Sequence, residues 1–183
     1  MTSVETPRLL LRLAERADAQ ALLDIHQDPE AIELKQVTLL EAPGGIDLAL
    51  RNVERMHRHW RRCGYGQWAV VEKATNEVIG CVGFFHPEGW PGVDLNWIIE
   101  RSRRGNGFAT EAAGASLEWA WQNTQINHVI SLIGPSDVRS ARIATKVGES
   151  FERADVDPIN GEPVHVYGVD RPKHERRIPG RYQ

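Results

Sequence analysis

Between Leu95 and Ala112 an apolar run, Leu95-Asn96-Trp97-Ile98-Ile99, passes through Arg103-Arg104-Gly105-Asn106-Gly107 into Phe108-Ala109-Thr110-Glu111-Ala112. The order predicts a strand that runs into a Gly-rich turn, and a turn that opens a helix. A strand that hands over to a helix commits this part of the chain to an α/β arrangement. Glycine lets backbone approach a ligand closely, and the unpaired N–H groups at a helix start all point one way. The helix dipole adds partial positive charge at the same place, which makes the turn a seat for phosphate or pyrophosphate. The plain alternative is a tight strand-to-helix connection with no ligand. Two phosphate motifs are excluded. A P-loop ends in Gly-Lys-Ser/Thr, and this turn continues Gly-Phe-Ala-Thr. A dinucleotide fingerprint needs a third glycine and an early βαβ unit, whereas three predicted strands with antiparallel-type spacing precede the turn.

The rest of the chain supplies the sheet around that turn. Arg8–Leu13 reads as a strand, and Asp18 stands where it can cap a helix carrying Ala21, Leu22 and Ile25. Ile46, Leu50, Val53, His57 and Trp60 follow helical spacing, Arg51, Arg55, Arg58, Arg61 and Arg62 make the opposite face basic, and Gly64 ends the helix. Gln67–Glu72 and Val78–Phe85 form a hairpin, and Val93–Ile99 follows a loop rich in Pro and Gly. After the turn come a helix over Phe108–Asn123, a buried-type strand over His128–Ile133 and a short helix over Arg139–Val147. A last hairpin, Phe151–Val156 with Val164–Val169, closes around Asn160-Gly161. The expected fold is α/β (α+β), a mixed central sheet of about seven strands with one crossover, flanked by helices. One domain over 8–170 is expected, followed by a basic tail over 171–183.

Charge and cysteine content narrow the setting. The net charge is −3, yet the stretch from Arg171 to Gln183 holds five Lys/Arg against one Glu. An acidic body of this kind favours a cationic acceptor such as an amine. The basic tail and the Arg-rich helix face admit contact with RNA or ribosome, although solvated charge explains them as well. Cys63 and Cys81 lack metal-type spacing and read as two free thiols in a reducing cytoplasm. No run is long and apolar enough to span a membrane, no basic-then-apolar leader opens the chain, and no His/Cys cluster suggests a metal.

The pattern Arg104-x-x-Gly107-x-Ala109, entered from an apolar strand, resembles the acyl-CoA pyrophosphate loop of the GNAT superfamily of N-acyltransferases. Its extension through Thr110-Glu111-Ala112 is similar to the branch that contains the ribosomal-protein N-terminal acetyltransferases. Trp68-Ala69-Val70-Val71 with Val78-Ile79-Gly80-Cys81-Val82-Gly83 resembles that branch's second and third strands. Pro135-x-Asp137-x-x-Ser140 and Lys146-Val147-Gly148 resemble its second cofactor-contacting segment. The resemblance covers about Arg8 to Val169. It implies a cytoplasmic acetyltransferase that moves an acetyl group from acetyl-CoA to a primary amine, by direct attack and without a metal. A protein N-terminus or a small-molecule amine would accept it. A non-catalytic acyl-CoA-binding module on the same fold is the alternative, and a homodimer remains open.

Carried over residue by residue, the resemblance implies a cofactor set. Backbone around Trp97, Ile98 and Ile99 would hold the pantetheine and polarise the thioester. N–H groups from Arg104 through Gly105, Asn106, Gly107, Phe108, Ala109 and Thr110 would hold the pyrophosphate, with Arg104 adding charge. Asp94 matches an acidic position of that strand and is the first candidate base; a solvated or turn-capping aspartate is its plain reading. Glu88, His86 and His26 are weaker candidates. Ser140 matches a serine that can assist the departing thiolate, and it equally suits a helix start. Two residues depart from the family pattern. Asp137 replaces an Asn that contacts the pantetheine, so it is expected either to accept N–H there or to cap the following helix. Glu149 stands where an aromatic is usual.

Overall fold

The computed structural model describes residues 3–29 and 45–173. Eight strands form one sheet in the order β1-β2-β3-β4-β5-β6-β8-β7. They are β1 (Val4–Glu5), β2 (Leu9–Arg12), β3 (Gln67–Glu72), β4 (Glu77–Phe85), β5 (Asp94–Ile99), β6 (His128–Ile133), β7 (Ser150–Val156) and β8 (Pro163–Asp170). The strand beyond the expected seven is the two-residue β1, which pairs with β2 through Val4↔Leu11. Every neighbouring pair is antiparallel except β5 and β6. The helix over Phe108–Asn123 joins those two strands, and this is the central crossover expected from the sequence.

Helices α1 (Ala19–His26) and α2 (Ile46–Cys63) cover one face of the sheet. Helices α3 (Phe108–Asn123) and α4 (Val138–Lys146) cover the other. Strand alternation sorts the side chains of β5 between the two layers. Leu95, Trp97 and Ile99 join Phe108, Ala112 and Leu117 under α3, while Ile98 joins Leu22, Val53 and Met56 under α1 and α2. At the end of α2, Trp60 meets Trp68 and Trp119 edge-on, at centroid distances of 4.9 and 5.3 Å. Each such pair adds roughly 0.5–1.5 kcal/mol beyond area burial. Gly64 ends α2 in the left-handed region at φ 74°, as its position predicts.

One local expectation changes. Asp18 does not cap α1 with its side chain; its carboxylate takes both Arg12 guanidinium nitrogens, at 2.6 and 2.9 Å, and the Glu15 N–H. The Arg171 guanidinium donates to the Ile126 and Thr124 carbonyls. His26 is buried and bonded to the Leu22 carbonyl, with burial pushing its pKa down to about 4, so it packs as a neutral ring. The remainder of the basic tail, 174–183, lies outside the described residues. Among the described residues no helix is long and apolar enough to cross a membrane.

Candidate active site

The site is made by two parallel strands that part. Only Asp94 stands opposite Ile130, where the Ile130 N–H donates to the Val93 carbonyl at 2.9 Å. Beyond that point side chains complete the apex. Ser131 Oγ lies 2.8 Å from the Leu95 carbonyl, and Asp94 Oδ1 accepts from the Leu132 N–H at 3.1 Å. On the other side of β5, Glu100 N–H donates to the Ile79 carbonyl. That bond turns the even-numbered peptide groups toward β4 and the odd-numbered ones toward the opening. The Ile99 carbonyl is taken by Arg104 Nε at 2.9 Å. Trp97 therefore presents its N–H and C=O to the gap, while the peptide groups of Ile98 point to β4.

The gap leads into a cleft of about 280 Å³. Trp97, Ile98 and Ile99 line it from β5; Arg104, Gly105 and Gly107 from the turn; Phe108, Ala109 and Thr110 from α3; and Ser140 from α4. Gly105 and Gly107 both adopt left-handed backbone, at φ 82° and 81°, which an L side chain resists. Gly107 precedes α3 and no side chain caps the helix, so the first-turn N–H groups of Phe108, Ala109 and Thr110 have no intrahelical acceptor. A clamp from the N-terminal segment fixes this end. Glu111 accepts from Thr6 Oγ1 at 2.6 Å, from the Arg8 N–H at 3.0 Å and from Arg8 Nε at 2.7 Å. Burial alone raises the Glu111 pKa, but these bonds outweigh it and hold the carboxyl below its usual range. Arg8 also donates to the Asn106 carbonyl and lies 4.5 Å over the Phe108 ring.

Three members of the sequence-derived set do not line the cleft: Asn106, Asp137 and Asp94. The Asn106 side chain closes the turn by donating to the Arg103 and Arg104 carbonyls. Asp137 is buried and caps α4, its Oδ1 accepting from the Ser140 N–H at 2.9 Å. Of the two roles expected for it, the geometry displays the cap. Arg104 lines the cleft, but its Nη2 meets Asp28 Oδ2 at 2.6 Å, so the side chain braces the turn and its charge is matched. Positive charge on the cleft wall comes instead from α4. Arg139, Arg142 and Lys146 line it, at a spacing that places them on one helical face beside Ile143. That face is legible afterwards in the i, i+3, i+7 basic residues around Ser140.

Asp94 and Glu149 form a buried carboxyl pair at the apex. Asp94 is 1% exposed; burial pushes its pKa up to about 7 against the Leu132 hydrogen bond, with the Asp157 charge adding to the rise. The neighbouring Trp90 indole, itself buried, lowers it slightly. Glu149 is 3% exposed and reaches about 8, through burial first and then the Asp94 and Glu152 charges, against a hydrogen bond with Ser131. Ser131 Oγ is 2.8 Å from the Leu95 carbonyl and 2.9 Å from Glu149 Oε1. A hydroxyl carries one proton. With that proton on the Leu95 carbonyl, Glu149 must donate to Ser131, which a carboxyl protonated at neutral pH can do. Sequence reading marks Glu149 only as a departure and does not find Ser131. His86 and Glu88 are exposed.

Similarity to known proteins runs along the whole fold. The family model of the acetyltransferase (GNAT) domain matches residues 8–150. A Bacillus licheniformis protein named uncharacterized N-acetyltransferase p20 is 23% identical over 180 residues, which cover 96% of this chain and 98% of that protein. An acetyltransferase structure from Agrobacterium tumefaciens aligns with a TM-score of 0.77 at 25% identity, over 92% of this chain and 94% of its own. A ribosomal L7/L12 α-N-protein acetyltransferase in complex with coenzyme A shares the fold. Its TM-score is 0.73 at 16% identity, over 92% of this chain and 97% of that one.

Proposed function

The chain belongs to the GNAT acetyltransferase family, and from that premise we propose that it transfers an acetyl group from acetyl-CoA to a primary amine by direct attack in a ternary complex. One observation carries the reading. A single cleft joins the Trp97 peptide edge, the uncapped first turn of α3 and the basic face of α4. A strand edge suits the pantetheine amides, helix N–H groups suit a pyrophosphate, and Arg142 and Lys146 suit further phosphate charge. The solved relative holding coenzyme A has the same fold.

In this reading the acetyl thioester lies near Trp97, whose N–H donates to the carbonyl oxygen as negative charge grows there. One preorganised donor of this kind is worth about 3 kcal/mol of barrier. The attacking amine has to be neutral, and in this reading Asp94 holds the proton it gives up. A carboxyl with a pKa of about 7 is matched to that task near neutral pH. Ser140 lines the cleft, and in this reading its hydroxyl assists the departing thiolate by donating a hydrogen bond to it, the thiolate taking its proton from solvent. The non-catalytic alternative draws its motive from Asp137, whose carboxylate caps α4, and from the absence of an unmistakable base in the sequence. The acceptor is a protein N-terminus or a small-molecule amine.

The test is calorimetric titration with acetyl-CoA, CoA and NAD in parallel, followed by mass spectrometry of amines incubated with acetyl-CoA. Selective acetyl-CoA binding and an acetylated amine are expected. Gly107→Glu, which sets a side chain and a negative charge in the turn, should abolish that binding. Equal affinity for NAD, or retained affinity in the variant, would overturn the assignment of the cleft.

A further inference from the structure

The basic face of α2 encloses a second cavity, at the other end of β5. Arg51, Arg55, Arg58 and Arg62 recur at i, i+4, i+7 and i+11, one stripe along the helix. Between this stripe and the end of β4 lies a cavity of about 470 Å³. Asn52, Arg55, Arg58, His59, Arg62 and Phe85 are among its walls, and none of the described lining residues is acidic. Among the described residues neither Arg58 nor Arg62 meets a carboxylate. His59 Nε2 is buried without a hydrogen-bond partner, although the ring is held edge-on to Tyr65 at 5.5 Å and tilted on Phe85 at 5.7 Å. The Arg58 and Arg62 guanidinium groups beside a rigid imidazole make a site for oxyanions, and Arg forks fit carboxylates two bonds at a time.

The position of the cavity gives that preference a use. In the β4–β5 ladder Phe84 stands opposite Leu95 and Phe85 opposite Asp94. Trp90 packs on Phe85 at 5.6 Å, which ties the cavity wall to the residue beside the Asp94 carboxyl. Strands in a sheet are about 4.8 Å apart, so the cavity lies within a strand or two of Asp94. The cofactor cleft occupies the opposite end, at Trp97–Ile99 and the turn. The two cavities therefore lie at opposite ends of β5, on separate sides of the apex.

We propose that this cavity is an acceptor subsite that binds carboxylates carried close to the reacting amine, as at the N-terminus of an acidic peptide. The proposal rests on the acetyltransferase reading above and names its acceptor class. It reverses the preference for cationic acceptors suggested by the net charge of −3, because the field at the cavity is set by the arginines that line it. The amine of the bound peptide points toward Asp94, and the acidic side chains that follow it occupy the arginines.

The probes are the tripeptides Ala-Glu-Glu and Ala-Lys-Lys, titrated into the CoA-saturated protein. The wild type should bind Ala-Glu-Glu about ten-fold or more tighter than Ala-Lys-Lys, with an affinity that falls as salt rises. The doubly substituted Arg58→Glu, Arg62→Glu protein should lose or reverse that preference. Both arginines are exposed and lie outside the cofactor cleft, so CoA affinity should be unchanged and reports that the variant is folded. Equal binding of the two peptides by the wild type, or an unchanged preference in the variant, overturns the subsite. Acetyl transfer to each peptide is measured separately. Charge-selective binding without transfer sinks the acetyltransferase reading and leaves the subsite standing; transfer without charge preference does the reverse.

Discussion

A carboxyl buried between strands gives up its proton near neutrality, and Asp94 does so where β5 and β6 part. Its Oδ1 holds the Leu132 N–H, so the anion has a partner once formed, while burial delays its formation to about pH 7. Acting as a base, the residue must be ionised before it can take a proton. The transfer rate should therefore climb with pH up to about 7 and then level. A hydrazide acceptor, neutral across the range, keeps the titration of the amine out of the profile. Asp94→Asn retains an oxygen for Leu132 and removes the base. Loss of general-base assistance costs roughly 10²–10⁴-fold in rate, and the rising limb should vanish with it. CoA affinity should not move, because Asp94 does not line the cofactor cleft. A variant with wild-type rate and profile would remove Asp94 from the chemistry.

At the scale of elements, α4 depends on a residue for which sequence leaves two roles open. The spacing Asp137-x-x-Ser140 fits a pantetheine contact and a helix cap equally, because both use a short polar side chain at a helix start. The bond from the Ser140 N–H to Asp137 Oδ1 separates them. Asp137→Ala should cost about 1 kcal/mol of stability by leaving that N–H unpaired, seen as a lower denaturant midpoint. Asp137→Asn keeps an acceptor oxygen and should restore the midpoint. Greatly weakened CoA binding in a well-folded Asn variant would instead make the carboxylate a ligand contact. Features written in adjacent residues are legible in this way. The β5–turn–α3 unit is one of them, since two left-handed glycines and an uncapped first turn all lie within a few positions. The apex is not local. Asp94, Ser131 and Glu149 meet only because β6 runs parallel to β5 and the chain returns past α4 at Glu149. The arginine stripe of α2 is visible as helical spacing, but its place beside Asp94 follows from the β4–β5 register. Arg104 misleads for the same reason, since its partner Asp28 lies on a distant segment.

Across the whole molecule, the buried titratable groups set an uncommon dependence of stability on pH. Asp94 and Glu149 have folded values of about 7 and about 8, against ordinary carboxyl values of about 4 in the unfolded chain. Between those limits the native state keeps protons that the unfolded chain has lost, so each group lowers stability as pH rises. His26 and His59 act in the opposite direction. Burial lowers both, to about 4 for His26, so as pH falls below about 6.5 the unfolded chain binds these protons before the native state does. His26 offsets one of the two carboxyls from about pH 4.5 to 6.5 and His59 acts in the same direction, so stability should fall less steeply there than above pH 6.5. Above about 6.5 the histidines are neutral in both states and only the carboxyls remain. At about 1.4 kcal/mol per pKa unit, stability should then fall by about 2–3 kcal/mol before it levels near pH 8. Below about pH 4 the hydrogen-bonded carboxylates Asp18 and Glu111, whose values are lowered, lose their contribution as they are protonated. Urea midpoints at pH 5, 6.5 and 8.5 trace this curve. Glu149→Gln keeps a donor for Ser131 and abolishes one titration, so its advantage over the wild type should grow from pH 5 to pH 8.5. A wild-type midpoint that stays level or rises from pH 6.5 to 8.5 would mean that the apex carboxyls ionise at ordinary values, and Asp94 would then lack the proton affinity its role as a base requires.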